Sequence, residues 1–166
     1  MSKETIDILL SSKFNFKSAQ TISTSYHEAK GVVYDLFWKE IESQGGKGTQ
    51  KIYWKNYIIE YSIHQDPKGI FFGFKAMKSD RQAVGNNSLE LNIIKNVLKE
   101  IKSEFKNSIN WLGWIHPSTI RKFYSADIEL IYNLNNTVFR KEFVSKLIDE
   151  GQSYFLAFAK KVEELN

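Results

Sequence analysis

The residues of this 166-residue chain that could do chemistry do not stand at the spacings that catalytic or metal sites require. His27, His64 and His116 form no His-x-His or His-Glu-x-x-His pair, so the histidines predict no shared metal. The chain has no cysteine, which excludes thiol nucleophiles, thiolate metal sites and disulfides. It also has no Gly-x-Ser-x-Gly segment for acyl transfer. We therefore expect no catalytic residue, no metal and no cofactor.

The glycine-rich segment Gly45-Gly46-Lys47-Gly48-Thr49 is the one candidate for a phosphate-binding loop. Such a loop needs Gly-Lys followed directly by Ser or Thr, after a strand and before a helix. Here Gly48 separates Lys47 from Thr49, a predicted helix precedes the segment and a predicted strand follows it. The segment is therefore interpreted as a helix-to-strand connection.

Acidic residues near a predicted hairpin were compared with the pattern of metal-dependent nucleases. A PD-(D/E)XK nuclease needs an acid, then an acid-x-lysine on an adjacent strand, to hold Mg²⁺ and position water. Glu60 lies in a predicted strand, but Ser62 stands where the lysine is required. Asp66 and Lys68 have the correct interval, but in a turn with Pro67 between them. A divergent nuclease that uses Glu60, Asp66 or Lys68 is kept as an alternative.

The order of segments in this region resembles the C-terminal accessory part of bacterial proteins of the PD-(D/E)XK superfamily. Those proteins carry an aromatic hairpin, a helix and a Trp-Gly-Trp-like segment after their catalytic core. The similarity covers roughly residues 51–147 and lies in Tyr57-Ile58-Ile59-Glu60-Tyr61-Ser62-Ile63, Gly69-Ile70-Phe71-Phe72-Gly73-Phe74 and Trp111-Leu112-Gly113-Trp114. The catalytic acids and lysine of the family have no assignable counterparts here, so the resemblance implies an accessory fold without the activity.

The positive charge of the chain is concentrated in one segment. Residues 45–85 contain seven basic and three acidic residues, whereas the rest of the chain has 16 of each, so this segment accounts for the whole net charge of +4. A localised excess of this kind fits either a surface with an anionic partner or ordinary exposed lysines in a chain of small net charge. Lysine dominates over arginine, which favours contact with a phosphate backbone over reading of bases, but a composition rich in Lys, Asn and Ile is equally typical of an AT-rich genome.

Aromatic side chains alternate with lysines in the same segment. Residues 51–63 follow a period of two, which predicts one strand with Lys51, Tyr53, Lys55 and Tyr57 on a shared face. Rings that stack on bases, interleaved with lysines that contact phosphate, are typical of proteins that bind single strands. Whether the rings of Tyr53, Trp54 and Tyr57 are exposed or belong to the core stays open. The expected binding residues are Lys47, Lys51, Tyr53, Trp54, Lys55, Tyr57, Lys68, Lys75, Lys78 and Arg81.

The elements that must position these residues form an α+β pattern, with an aromatic antiparallel hairpin or small sheet packed on amphipathic helices. Strands are predicted at 51–63 and 70–77, joined by a turn at Asp66-Pro67-Lys68-Gly69. Residues 110–114 are a third strand or a packed loop, and 125–134 fit either helix or strand. At Gly151 the last helix is kinked, broken or closely approached by another helix. The predicted helices cover residues 2–12, 25–44, 88–105 and 137 to the C-terminus.

Composition sets the class of protein. An apolar content of 42% and a charged content of 25% are typical of one ordinary domain, here residues 1–166. No apolar run approaches the roughly 20 residues of a membrane span. Glu4 and Asp7 interrupt the apolar stretch near the N-terminus, so we expect no secretory signal and a cytoplasmic protein without a membrane partner.

These observations lead to a hypothesis of a non-enzymatic binding protein. We expect a phage-type, anti-CRISPR-like inhibitor of a nucleic-acid-handling host defence complex. The basic aromatic hairpin would dock on nucleic acid, with RNA expected ahead of DNA, or on a nucleic-acid-binding protein complex. The divergent nuclease and a structural or assembly protein are the alternatives, and the oligomeric state stays open.

Overall fold

The computed structural model describes residues 19–66, 69–78, 80, 88–120 and 128–165. These residues form an α+β fold, as predicted, with four helices and four strands in the described ranges. None of the helices in these ranges has the length and hydropathy needed to cross a membrane. The elements are α1 (Ala19–Ser43), β1 (Gln50–Trp54), β2 (Tyr57–Asp66), β3 (Gly69–Lys78), α2 (Leu89–Ile101), β4 (Gly113–Ile115), α3 (Ile128–Leu134) and α4 (Thr137–Glu164).

The strands form one antiparallel sheet in the order β1-β2-β3-β4. The predicted β2–β3 hairpin is confirmed, with Tyr57 paired to Lys78 at one end and Asp66 to Gly69 at the other. The prediction of a single strand over residues 51–63 is wrong, because the chain reverses at Lys55 and Asn56 and makes a separate hairpin. Lys55 adopts a φ of 50°, in the left-handed region that non-glycine residues rarely occupy.

One side of the sheet forms the hydrophobic core. Its side chains include Tyr61, Phe72 and Phe74, which are buried against α4 with ring contacts to Phe155, Tyr154 and Phe158. From β4, Gly113 lies against Leu98 of α2. The sheet is thus covered on this side by α2 and α4, while the opposite side carries half-exposed and exposed residues together with the buried Ile58 and Ser62.

The helices follow the apolar periodicity of the sequence with shifted ends. α1 begins six residues before the expected start and ends near Gly45, as predicted. α2 is capped by Ser88, whose hydroxyl accepts from the Leu91 amide, and it ends at Ile101, short of the predicted Phe105. The helix expected at residues 2–12 and the turn residues Pro67 and Lys68 lie outside the described residues.

Gly151 allows α4 to approach the sheet closely. The helix runs unbroken through this position, so the alternative of a break into two pieces is wrong. A β-carbon on Gly151 would meet the Tyr61 hydroxyl and would lie 2.7 Å from a ring carbon of Phe72. The close approach is therefore between helix and sheet rather than between two helices, and it sets the distance between these two layers.

Candidate functional site

The side of the sheet that faces away from α4 is the first candidate site, and we call it the outer face. Residues paired across antiparallel strands point to the same side, so the register defines its rows. The rows lie about 7 Å apart, since alternate residues of a strand are two rises apart. The rows are Tyr53, Ile58 and Met77; Lys51, Glu60 and Lys75; Ser62, Gly73 and Trp114; and His64 with Phe71.

The second row contains two lysines that share one carboxylate. The ammonium groups of Lys51 and Lys75 lie 3.7 Å and 3.8 Å from the carboxylate oxygens of Glu60. The side chain of Glu60 is only 12% exposed, whereas those of the lysines are 43% and 40% exposed. Two positive charges and one negative charge leave a net charge of +1 at this row. The lysine ammonium groups therefore remain accessible to a phosphate.

The last two rows carry a cluster of aromatic rings. Trp111, from the loop before β4, packs its ring over Gly73, where a β-carbon would come within 2.5 Å of the indole. Its ring meets His64 edge-on at 4.6 Å and Phe71 at 5.2 Å between centroids. Phe71 also meets Trp114 at 5.9 Å. These four rings are half-buried, so the cluster is held in place and still presents ring surface to solvent.

His64 is kept neutral by this environment. Burial among the rings lowers the pKa of its imidazole, and the positive charge of Lys75 lowers it further. The ring of His64 also stacks on Phe71, with centroids 5.5 Å apart. A neutral imidazole behaves as another flat ring of the cluster at neutral pH.

The structure brings together only some of the predicted binding residues. Lys51, Tyr53 and Lys75 lie on the outer face, and Tyr53 is 72% exposed. Trp54 is 3% exposed and stacks on Tyr57, so of the two alternatives left open its ring belongs to the core and is not accessible for stacking on a base. Tyr57 is half-buried on the core side, because the turn after Trp54 reverses the alternation that seemed to place it beside Tyr53.

The other predicted cations lie elsewhere. Lys55 occupies the β1–β2 turn, 3.8 Å from Glu90 of α2, and its ammonium lies 4.9 Å from the Trp54 ring centroid. Lys47 lies 3.6 Å from Glu42 at the end of α1. Lys78 is exposed at the end of β3, in register with Tyr57 and therefore off the outer face. Lys68 and Arg81 are outside the described residues. The excess charge of the segment is thus dispersed and partly neutralised.

A second candidate site, which we call the cleft, lies at the β4 edge of the sheet. It has a volume of about 450 Å³ and is lined by Lys102, Glu104, Lys106, residues 114–118 and Tyr154. Lys106 pairs through its backbone with Trp114, and its ammonium lies 5.4 Å from the indole centroid. Trp114 belongs to both sites, so the cleft is continuous with the outer face.

Glu150 of α4 organises one wall of the cleft. Its carboxylate accepts hydrogen bonds from the Ser118 amide at 3.0 Å, the Ser118 hydroxyl at 2.7 Å and the Tyr154 hydroxyl at 3.0 Å. Burial raises the pKa of Tyr154 to about 12, with further contributions from the charge of Glu150, its hydrogen bond and the charge of Glu104. Tyr154 is therefore a neutral hydrogen-bond donor that holds the carboxylate against the protein.

His116 has a defined tautomer in the same wall. Its Nδ1 lies 2.9 Å from the carbonyl oxygen of Ile70. Because a carbonyl can only accept, Nδ1 carries the proton and donates it. In the neutral ring Nε2 is then the acceptor, a neutral polar group in a lining that also carries Lys102, Glu104 and Lys106.

The residues considered for a nuclease do not assemble into a metal site in the described part of the chain. Glu60 is held between two ammonium groups, which would compete with a divalent cation for its oxygens. Across residues 19–66, 69–78, 80, 88–120 and 128–165, no group of three or more His, Asp or Glu side chains could hold a metal ion.

Sequence reasoning missed Glu60 as the shared partner of Lys51 and Lys75, and it missed the cleft. The period of two in β3 did predict that the side chains of Phe71 and Phe72 point to opposite sides of the sheet. The cleft residues come from separate elements and share no local pattern, so only the fold reveals them.

Comparisons with protein-family models, curated proteins and solved structures find no match to this chain. The resemblance to the PD-(D/E)XK accessory region therefore stays a prediction.

Proposed function

We propose that this protein binds single-stranded nucleic acid on the outer face of its sheet, without catalysing a reaction. The observation that carries the proposal is the alternation of rings and lysines on the side of an antiparallel sheet that faces away from α4. The exposed ring of Tyr53 stands at one end, the row of Lys51 and Lys75 follows, and the aromatic cluster around Trp111 stands at the other end.

The dimensions of the outer face suit a strand of several nucleotides. From the row of Tyr53 to the row of Phe71 is three row spacings, or about 20 Å. Stacking of one base on an aromatic ring contributes about 1–3 kcal/mol, and such stacking tolerates any base. Lysines between the rings supply contacts to the phosphate backbone. RNA stays the expected strand ahead of DNA, with little discrimination among sequences.

The dispersal of Lys47, Lys55 and Lys78 moves the proposed surface away from the turn of the hairpin. Lys51, Tyr53 and Lys75 are retained from the expected set, and Phe71, Trp111 and Trp114 are added. Trp54 is omitted because its ring is interior. The proposal therefore rests on which side of the sheet a residue occupies, not on its position within the segment of residues 45–85.

The proposal is tested by fluorescence anisotropy with labelled single-stranded RNA and DNA of mixed sequence in a salt series. Replacing Lys51 and Lys75 together by glutamine should remove the net positive charge of the row, and with it one phosphate contact, and so weaken binding at least about fivefold at 0.1 M salt, at a slope of 0.7 per contact. Tyr53→Ala should weaken binding about 5- to 150-fold through the loss of stacking. Replacing Lys146 and Lys160 of α4 by glutamine is the matched control for net charge, since both are exposed away from the sheet.

Unchanged binding in both outer-face variants, or the same loss in the control, would refute the proposal. The narrower expectation of a phage-type inhibitor of a host defence complex, acting in the cytoplasm, is tested separately. A pull-down from a host lysate with and without nuclease treatment distinguishes a partner held through nucleic acid from one held directly.

A further inference from the structure

We propose that the cleft is a binding site for a nucleoside monophosphate. The phosphorylated nucleoside could be a free nucleotide or the phosphorylated end of a bound strand, and only this second source depends on the function proposed above. The proposal itself depends on the size of the cleft, two lysines that form no ion pair with a carboxylate of the described residues, and the rings in the lining.

The cleft has the size and lining of a small-molecule site. Its volume of about 450 Å³ falls within the range of about 300–1,000 Å³ that such sites occupy. Trp114 and Tyr154 supply aromatic surface, and Ser118 and His116 supply neutral polar groups beside the charged Lys102, Glu104 and Lys106. A purine or pyrimidine base is the flat, polar-edged group that such a lining suits.

The lysines of the cleft differ from those of the basic segment. Lys47, Lys51, Lys55 and Lys75 each lie within 4.0 Å of a carboxylate oxygen. Lys102 and Lys106 form no ion pair with any carboxylate of the described residues. Their ammonium groups lie instead 5.9 Å from the Tyr154 ring centroid and 5.4 Å from that of Trp114.

A phosphate can displace these cation–π contacts without breaking an ion pair. An exposed contact between an ammonium and a ring is weaker than a hydrogen bond between two charged groups. Movement of Lys106 from the Trp114 ring onto a phosphate is therefore favourable, and it leaves that face of the indole free to stack on a base.

The carboxylates near the cleft are accounted for in different ways. Glu150 is occupied by the donors of Ser118 and Tyr154, which turn its oxygens toward the protein. Glu104 is exposed on the lining and is bonded to the neighbouring Ser103 hydroxyl. Its oxygens can accept from a ribose hydroxyl, but its charge opposes a phosphate. Removing that charge should raise the affinity for a nucleotide.

The first experiment is calorimetric titration of the full chain with adenosine monophosphate, and separately with adenosine and with inorganic phosphate. We expect adenosine monophosphate to bind more tightly than either part. Replacing Lys102 and Lys106 together by glutamine should weaken it at least tenfold, while Glu104→Gln should strengthen it severalfold. The Lys146 and Lys160 glutamine variant is the control, and the thermal midpoint of each variant reports folding.

No binding of adenosine monophosphate at millimolar concentration would overturn the proposal, as would binding that the Lys102 and Lys106 variant leaves unchanged.

The second experiment compares one oligonucleotide with a 5′-phosphate, a 3′-phosphate or hydroxyl ends. Tighter binding of a phosphorylated strand, lost in the Lys102 and Lys106 variant, identifies a strand end as the ligand. Equal binding of all three assigns the cleft to the free nucleotide. Nucleotide binding without strand binding would support the cleft and refute the proposed function.

Discussion

Glu60→Gln provides a stringent test of the outer face, because it removes the one carboxylate that both lysines share. Each ammonium lies less than 4 Å from a Glu60 oxygen, at 3.7 Å for Lys51 and 3.8 Å for Lys75. The substitution keeps the size of the side chain and raises the net charge of the row from +1 to +2. If a strand runs along this row, its phosphates should meet a stronger positive field.

The size of the effect follows from counterion release. One further neutralised phosphate steepens the slope of log affinity against log salt concentration by about 0.7 for a single strand. Between 1 M and 0.1 M salt, the affinity of the Glu60→Gln variant should therefore rise about fivefold more than that of the unaltered chain. Stability should change little, since ion pairs of lysines this exposed contribute about 0–1 kcal/mol each. Each kcal/mol corresponds to a shift of about 2–4 °C in the thermal midpoint for a chain of this size.

Glu100→Gln is the matched control for the anisotropy assay. It also removes a carboxylate from a lysine ion pair, with Lys161 at 3.3 Å, but it lies on α2 away from the outer face. Charges beyond about 10 Å are largely screened at 0.1 M salt, so the control should leave affinity nearly unchanged. Weaker or equal binding by Glu60→Gln would refute the path along this row. Cleavage of the strand with Mg²⁺ or Mn²⁺, lost in Glu60→Gln, would instead establish the nuclease alternative.

Two further predictions concern the framework of the sites. Gly151→Ala gains up to about 1 kcal/mol of helix propensity. It also places a methyl group against the Tyr61 hydroxyl and 2.7 Å from a ring carbon of Phe72, and such overpacking costs about 1–3 kcal/mol. Chemical denaturation should therefore show a lower free energy of unfolding for this variant. Gly31→Ala in α1 meets nothing within 4 Å and should be stabilising, and a loss there as well would contradict the packing argument. His64 has a pKa lowered from 6.5, so the unfolded chain binds the additional proton and the free energy of unfolding should fall as the pH drops below 6.5. In His64→Phe this part of the pH dependence should vanish, and an unaltered profile would exclude the imidazole as its source.

The β2–β3 hairpin and the face of α2 could be predicted because their signals are local. The hairpin is marked by a period of two on either side of the segment Asp66-Pro67-Lys68-Gly69, and α2 is marked by an apolar stripe at helical spacing. Each of these patterns is complete within about 20 residues. The β1–β2 turn could not, since Lys55 and Asn56 provide no glycine or proline to mark a reversal. The missed reversal placed Tyr57 on the wrong side of the sheet, and that one error made Tyr53 and Tyr57 neighbours in the predicted site.

The charge count failed for a different physical reason. Counting along residues 45–85 treats the segment as if it were isolated, whereas Glu42 and Glu90 reach it from two helices and Glu60 serves two of its lysines. Ion pairs depend on distance in space, so a local excess in sequence becomes a positive field only where the fold brings no carboxylate nearby. The sequence offered no means to find the lysines of the cleft, since their neighbours are rings from β4 and α4.

The two sites should therefore contribute unequally to binding. A phosphate that reaches Lys51 or Lys75 competes with Glu60 for the ammonium, and the net gain is reduced by the attraction it replaces. A phosphate that reaches Lys102 or Lys106 displaces a ring contact and no ion pair among the described residues, although the charge of Glu104 opposes it. Because the lower cost lies at the β4 edge, a strand should be anchored in the cleft and extend from Trp114 across the aromatic cluster toward Tyr53. Which end of this path anchors the strand therefore depends on the positions of the carboxylates, not on the number of lysines.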